Sequence, residues 1–258
     1  MAKSVITYNV LVTRPAHQAE ILCDLIEQQG WQAVRFPTLE IVGLTNDKIQ
    51  QQLNKLDKYD WLIFISTNAV NFALAANNGK IDDFKMCSVA VIGNATEKAI
   101  LAAGLTVDLI PDNYFNTEGL LATQVMQHIK HKHCLIIRGQ GGREALANSL
   151  SKRGAIVDYM EVYKRVIPIM DSCHVHDMLR QQTLDIITIT SGDALKNLII
   201  MIGTELKNQL LTVPLIVISN RIKQLAEKSG FKKILVTESP RDAAIIKTVL
   251  KMSSQAQN

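Results

Sequence analysis

The sequence predicts an α/β protein built from two doubly wound parallel-sheet domains, and three observations carry that prediction. Short apolar runs rich in β-branched residues alternate with helical patterns. The runs are apolar throughout rather than alternating with polar residues, as strands buried on both faces require. The chain also repeats itself about half its length apart, which makes two similar domains the natural outcome.

The first run is "NVLV" (9–12). A helical pattern follows over 15–29, where Ala19, Leu22, Leu25 and Ile26 share one face. Pro15 suits the first turn of that helix and Gly30 its C-terminal stop. "WLIFI" (61–65), "SVAVI" (88–92), "CLII" (134–137), "DIITIT" (185–190) and "PLIVI" (214–218) continue the strand series. A helix over 95–103 has Asn94 and Glu97 at capping-box spacing and ends at Gly104. Further helices fall near 47–56, 117–130, 194–200 and 242–251. The pattern amounts to about five strands in each half.

The repeat rests on three collinear matches. Asp60, Ser66 and Ala69 in "DWLIFISTNAV" match Asp185, Ser191 and Ala194 without a gap. "VIGNATEKAILAAG" (91–104) aligns with "VISNRIKQLAEKSG" (217–230). Arg14 precedes Gly30 by sixteen residues, as Arg138 precedes Gly154. The offsets are 124, 125 and 126, the signature of a tandem duplication. Composition alone would divide such a chain near residue 125.

A chain of 258 residues with 47% hydrophobic and 20% charged residues is globular, and no apolar run is long enough to span a bilayer. The start, "MAKSVITYNVLVTRP", reads as the beginning of a folded domain rather than a signal peptide, so a cytoplasmic location is expected. Cys23, Cys87, Cys134 and Cys173 form no CxxC pair and are expected to be buried free thiols. A net charge of +4 suits an acidic small molecule, while unclustered basicity and 5% aromatics exclude a nucleic-acid binder.

Parallel sheets bind ligands at the carboxyl ends of their strands. In both copies those ends carry Ser, Thr, Asn, Gly or Arg where a helix begins, and exposed N–H groups at helix starts attract anions. Two facing rims of this kind would line a cleft for an anion. "RGQGGRE" (138–144) is not a dinucleotide fingerprint, because Glu144 stands where the third glycine belongs. It reads either as an anion-contacting turn between Arg138 and Arg143 or as a plain strand–helix turn. His128, His131 and His133 lack a zinc spacing and are interleaved with lysines, so no metal site is expected there or at "CHVH" (173–176). Ser66, Ser191 and Ser219 are not flanked as a nucleophile elbow and read as helix N-caps that also face a ligand. Tyr163, in "EVYKRVIP", is either a packing residue or a phenol placed to give a proton to a leaving oxygen. Arg14 and Arg165 are either ligand contacts or surface ion pairs.

The ordered motifs "VTRP", "FPTLEI" (36–41), "FISTNAV" (64–70), "VIGNAT" (91–96), "IRGQGGREALANSLSKRGA" (137–155), "VYKR" (162–165), "ITSGDAL" (189–195), "VISNR" (217–221) and "TESP" (237–240) resemble the uroporphyrinogen-III synthase family over nearly the whole chain. The resemblance implies a crossed arrangement, with 1–36 and 168–258 forming one α/β domain and 41–162 the other. Strands at 37–40 and 163–167 would link them, with Pro37 and Pro168 at the junctions. The implied enzyme is a lyase of porphyrin and heme biosynthesis that cyclises hydroxymethylbilane, an eight-carboxylate linear tetrapyrrole, to uroporphyrinogen III. Water is lost and ring D is inverted through a spiro intermediate. No cofactor is implied, since the pyrroles supply the electrons. Tyr163 matches the family's tyrosine and is the implied catalytic residue. Implied substrate contacts are Arg14, Ser66, Asn68, Thr96, Arg138, Gly139, Arg143, Ser191, Gly192, Ser219 and Arg221. "SNRI" (219–222) replaces a hydroxyl-rich run of the family, and Asn68 stands where some members carry Arg. A monomer is expected, with transient contact to hydroxymethylbilane synthase and none to nucleic acid or membrane. The rival readings are a non-catalytic two-domain binding protein for an anionic small molecule and, disfavoured by the failed fingerprint, a nicotinamide-dependent enzyme.

Overall fold

Ten strands form among residues 7–255, which a computed structural model describes, with side chains described through Ser253. Residues 1–6, part of the segment read as the beginning of a folded domain, lie outside the described residues. The strands are β1 (Asn9–Val12), β2 (Gln32–Arg35), β3 (Glu40–Gly43), β4 (Trp61–Phe64), β5 (Ser88–Val91), β6 (His133–Gly139), β7 (Ile156–Val166), β8 (Ile186–Ile189), β9 (Leu215–Val217) and β10 (Ile234–Val236). They make two sheets, ordered β10-β9-β8-β1-β2 and β3-β7-β6-β4-β5. The first is parallel throughout. In the second, β6 pairs in parallel with β7 and β4, and β4 with β5.

The chain divides into two units: the part up to Glu40 together with the part from Val166 on, and Ile41–Arg165. Both changes of unit fall within strands, inside β3 and at the end of β7. Residues 37–39 carry no regular structure, while 163–166 are the last part of the long β7. By the repeated motifs β1 corresponds to β6, β4 to β8 and β5 to β9. The sheets place these strands in the same order, β9-β8-β1-β2 and β5-β4-β6-β7. Each sheet therefore joins the first βαβ of one copy to the later strands of the other. A cut near 125 would separate both sheets into halves, so strand pairing overrides the compositional division.

The apolar runs are filled on both sides, as continuous strands demand. In the first unit Leu11, Ile187, Ile189 and Val217 enter one core layer, while Val10, Val12, Ile186 and Ile216 enter the other. In the second, Leu62, Phe64, Leu135 and Ile137 face one layer and Ile63, Cys134 and Ile136 the opposite one. Cys23, Cys87 and Cys134 are buried as expected, with burial pushing the Cys134 thiol up to about 12; Cys173 is exposed, against expectation, at the start of a surface helix.

The repeated corner has one geometry in both copies. Asp60 donates its N–H to the His133 carbonyl at 2.9 Å, and its carboxylate accepts from the His133 N–H at 2.8 Å. Asp185 does the same with Asn9, at 3.1 and 2.7 Å. Each aspartate thus clamps two neighbouring strands at their start. Ser66 and Ser191 then cap the helices Thr67–Ala76 and Gly192–Ile202, accepting from the N–H groups of Ala69 and Ala194 at 3.1 and 3.0 Å. Ala69 and Ala194 are buried because each sits on its helix's core face. The matched glycines Gly104 and Gly230 both stop a helix in left-handed backbone, at φ +80° and +106°.

Asp60 also accepts from Lys132 Nζ at 2.7 Å. Lys132 first, and the His133 N–H second, hold the Asp60 carboxyl below its ordinary value of 3.8. A depressed folded value contributes stability that is present above 3.8 and lost as pH falls through the lower folded value. The urea midpoint of wild type over Asp60→Asn should therefore narrow steadily as pH is lowered below about 4. A gap that is flat or widens on acidification would contradict this.

Several helix boundaries differ from the sequence reading. Gly93, in extended backbone, caps the helix Asn94–Ala102, so Asn94 is its first residue and no capping box forms. Pro15 is likewise the cap, not the first helical residue, of Ala16–Glu27. The stretch 117–130 splits into Thr117–Ala122 and Gln124–Gln127, because Thr123 leaves the helix (ψ 145°) and its hydroxyl caps the second piece. The helix read over 47–56 ends at Leu53, and the one read over 242–251 extends to Gln255. No helix among the described residues is long and apolar enough to cross a membrane.

Candidate active site

At the carboxyl end of β6 the strand runs out at Gly139, and on the neighbouring β7 Tyr163 lies opposite it. The pairing slips by one residue here, since Arg138 faces Glu161 and Gly139 faces Tyr163, leaving Val162 extra. A Cβ on Gly139 would lie 2.4 Å from the Tyr163 ring, so glycine is what allows the ring to cross the strand end. Phe72 supports the other side, with ring centroids 5.7 Å apart. The tyrosine is 2% exposed, and its phenol oxygen is 3.1 Å from Ser66 Oγ. That hydroxyl already accepts from Ala69 N–H, so it is fixed by the helix start. The phenol is aimed rather than free.

Tyr163 lines a cavity of about 350 Å³ whose walls include Arg138, Arg143, Tyr159 and Arg165. The glycine-rich turn after β6 forms one wall. Arg138 is buried beneath it and donates to the carbonyls of Gly139 at 3.2 Å and Arg143 at 3.5 Å, and to that of Gly141. It also meets Glu144 Oε1 at 3.3 Å, while its guanidinium lies 4.6 Å above the Tyr159 ring. Tyr159 donates to Glu144 Oε2 at 2.5 Å. Burial first, then the Glu144 carboxylate, push the Tyr159 phenol up to about 12, so it stays protonated at neutral pH. Glu161 accepts the Gly141 N–H at 3.2 Å. Side chains thus hold the turn in place from below. Arg143 and Arg165, by contrast, are exposed at the cavity, and neither guanidinium has an ion pair or hydrogen bond among the described residues.

A protein-family model for uroporphyrinogen-III synthase (HemD) matches residues 21–247. The chain belongs to the uroporphyrinogen-III synthase family. The Escherichia coli uroporphyrinogen-III synthase is 29% identical over 244 residues, which cover 93% of this chain and 99% of that protein. The Salmonella typhimurium synthase is 30% identical over 250 residues, with coverage of 93% and 99%. Among solved structures, a Helicobacter pylori synthase matches at a TM-score of 0.62 with 15% identity, covering 96% of this chain and all of that one. A mutant Thermus thermophilus synthase matches at 0.61 with 14% identity and covers 96% and 100%. These likenesses show the two-domain α/β fold. As a member of this family the chain is a lyase of porphyrin biosynthesis, and the binding-protein alternative finds no support.

The synthase's other expected contacts occupy definite places. In the second unit, Asn68 is half-buried in the first turn of the Ser66-capped helix, and Thr96 is 5% exposed in the first turn after Gly93. In the first unit, Ser219 accepts from Ile222 N–H at 3.4 Å, and Arg221 is exposed on the helix it caps. Gly192 begins the helix capped by Ser191. Arg14 is engaged by Asp242 and by the Pro240 carbonyl at 3.3 Å. The sequence reading missed Tyr159, Glu144 and Glu161, although "YMEVY" carries the signal in a second tyrosine four residues before Tyr163. His128 and His133 point to backbone and strand roles, and no group of metal-binding side chains occurs among the described residues.

Proposed function

We propose that Tyr163 is the general acid of hydroxymethylbilane cyclisation, acting in the cavity at the end of β6 and β7. The observation that carries this is the aimed phenol, 3.1 Å from Ser66 Oγ and walled by the glycine turn. The phenol gives its proton to the hydroxyl on ring A, whose C–O bond breaks as water leaves. The electron-poor azafulvene that results is attacked by the substituted carbon of ring D, and the spiro intermediate fragments and recloses with ring D inverted. The proton lost from ring D on reclosure returns to the phenolate, so the net change is loss of one water. Four pyrroles provide the electron push, so the protein's task is to orient the chain and supply one proton.

Carboxylates of the substrate are held by the helix starts at Ser66 and Thr96, assisted by Arg143; Ser191 and Ser219 cap the corresponding helix starts of the first unit. Asn68, in the first turn after Ser66, and Gly139, beside Tyr163, are further contacts in this unit, while Gly192 and Arg221 lie at the helix starts of the first. Arg14 and Arg138 have carboxylate and carbonyl partners of their own, which suits them to positioning the rim rather than gripping substrate. On this reading the enzyme is a cytoplasmic monomer in transient contact with hydroxymethylbilane synthase.

Freshly generated hydroxymethylbilane should be converted to uroporphyrinogen III, identified as the type III porphyrin after oxidation. Production of isomer I alone, at the uncatalysed rate, would refute the proposal.

A further inference from the structure

Arg165 has no assigned role in the cyclisation above, yet its placement singles it out. Along β7, Tyr159, Tyr163 and Arg165 all line the one cavity, and Glu161 between them holds the Gly141 N–H. The intervening Met160 and Val162 are fully buried in the core. The extra Val162 shifts the alternation, so Tyr163 packs in the layer of Met160 and Val162 and Tyr159 in the opposite one; what Tyr159, Tyr163 and Arg165 share is the cavity at the strand ends. Arg165 is the next residue of β7 after Tyr163 to line that cavity, about 7 Å further along an extended chain. Its guanidinium is exposed and has no ion-pair or hydrogen-bond partner among the described residues. The cavity's other strand-end arginine, Arg138, is consumed by the turn.

We infer that Arg165 is the anchor that binds a carboxylate of the tetrapyrrole beside the reacting ring, fixing that ring's hydroxymethyl group against Tyr163 and so governing which isomer forms. This rests on the cavity being the tetrapyrrole site. A planar guanidinium takes a carboxylate through two parallel hydrogen bonds, which sets orientation as well as affinity. A pyrrole held at one edge closes in the geometry the enzyme imposes. A loosely held one closes by the easier uninverted route.

The test compares Arg165→Gln, Arg165→Lys and Lys164→Gln, the last removing the same charge from the adjacent exposed residue. Kinetics with hydroxymethylbilane, the ratio of isomer I to III, and titration with uroporphyrin III are measured for each, together with melting temperature. Arg165→Gln should raise KM and the uroporphyrin Kd by about tenfold or more and increase the share of isomer I, with kcat changed less. Arg165→Lys should recover part of the affinity but less of the isomer ratio, because a point charge does not set orientation. Lys164→Gln should stay within about threefold of wild type. An Arg165→Gln enzyme no worse than Lys164→Gln overturns the inference. So does an affinity loss that the melting temperature accounts for. If wild type yields only isomer I, the cyclisation reading fails, while the uroporphyrin titrations still decide whether Arg165 grips a carboxylate.

Discussion

Tyr163→Phe should lower kcat by about a hundredfold or more while KM stays within a few-fold of wild type. The substitution deletes one oxygen and leaves the ring, so the contacts with Phe72 and Gly139 remain. Ser66 retains its capping bond to Ala69 N–H, so the helix start keeps its geometry. What disappears is the phenol–Ser66 hydrogen bond, a net loss of about 0.5–1.5 kcal/mol. The variant should therefore fold with nearly unchanged stability. A folded enzyme with intact binding and collapsed turnover identifies a proton donor, because a residue that only bound substrate would move KM. The residual reaction should also lose isomer selectivity less than speed, since inversion depends on how the rings are held. Turnover within a few-fold of wild type would remove the acid role and leave Tyr163 as a wall of the cavity.

How far the site could be read from sequence depended on how local each feature is. Asp60, Ser66 and Ala69 and their copies at 185, 191 and 194 are legible because the tasks are short-range: clamp a strand, cap a helix, bury a small side chain. The glycine stops at 104 and 230 are legible for the same reason. The exchange of the first βαβ between copies is not, because any parallel strand of the right apolar character satisfies the local pattern. Only the resemblance to a family pointed to the crossing. Arg138 shows the same limit. Its spacing to Gly154 marks it as the partner of Arg14, but nothing local distinguishes a guanidinium facing a ligand from one folded under its own turn. The deciding groups, Glu144 and Tyr159, meet it through the turn and across to β7. Tyr163 was legible as a candidate, whereas its aim depends on Ser66 ninety-seven residues away.

Gly139→Ala should destabilise the protein by about 1–3 kcal/mol and lower turnover by about a hundredfold, the second effect exceeding what the first explains. The cost is steric rather than conformational, since Gly139 is not among the residues at positive φ. The added methyl would sit 2.4 Å from Cε2 and 2.6 Å from Cζ of Tyr163. Those atoms belong to a stiff ring backed by Phe72, so either the ring or the strand end must shift. Either movement carries the phenol away from Ser66 and from the position where a leaving hydroxyl would meet it. Gly141→Ala provides the contrast: it sits at φ +73° with nothing within 4 Å of the new methyl, so it carries backbone strain of about 1 kcal/mol and no push on Tyr163. The decisive measurement is a double-mutant cycle in urea. Where the ring is the obstacle, Gly139→Ala should lose most of its cost in a Tyr163→Ala background, a coupling of about 1–3 kcal/mol. Gly141→Ala should show no such coupling. Additive costs at Gly139 and Tyr163 would mean that the bulge, not the ring, sets the requirement for glycine, and the close approach would then be without consequence for the aim of the phenol.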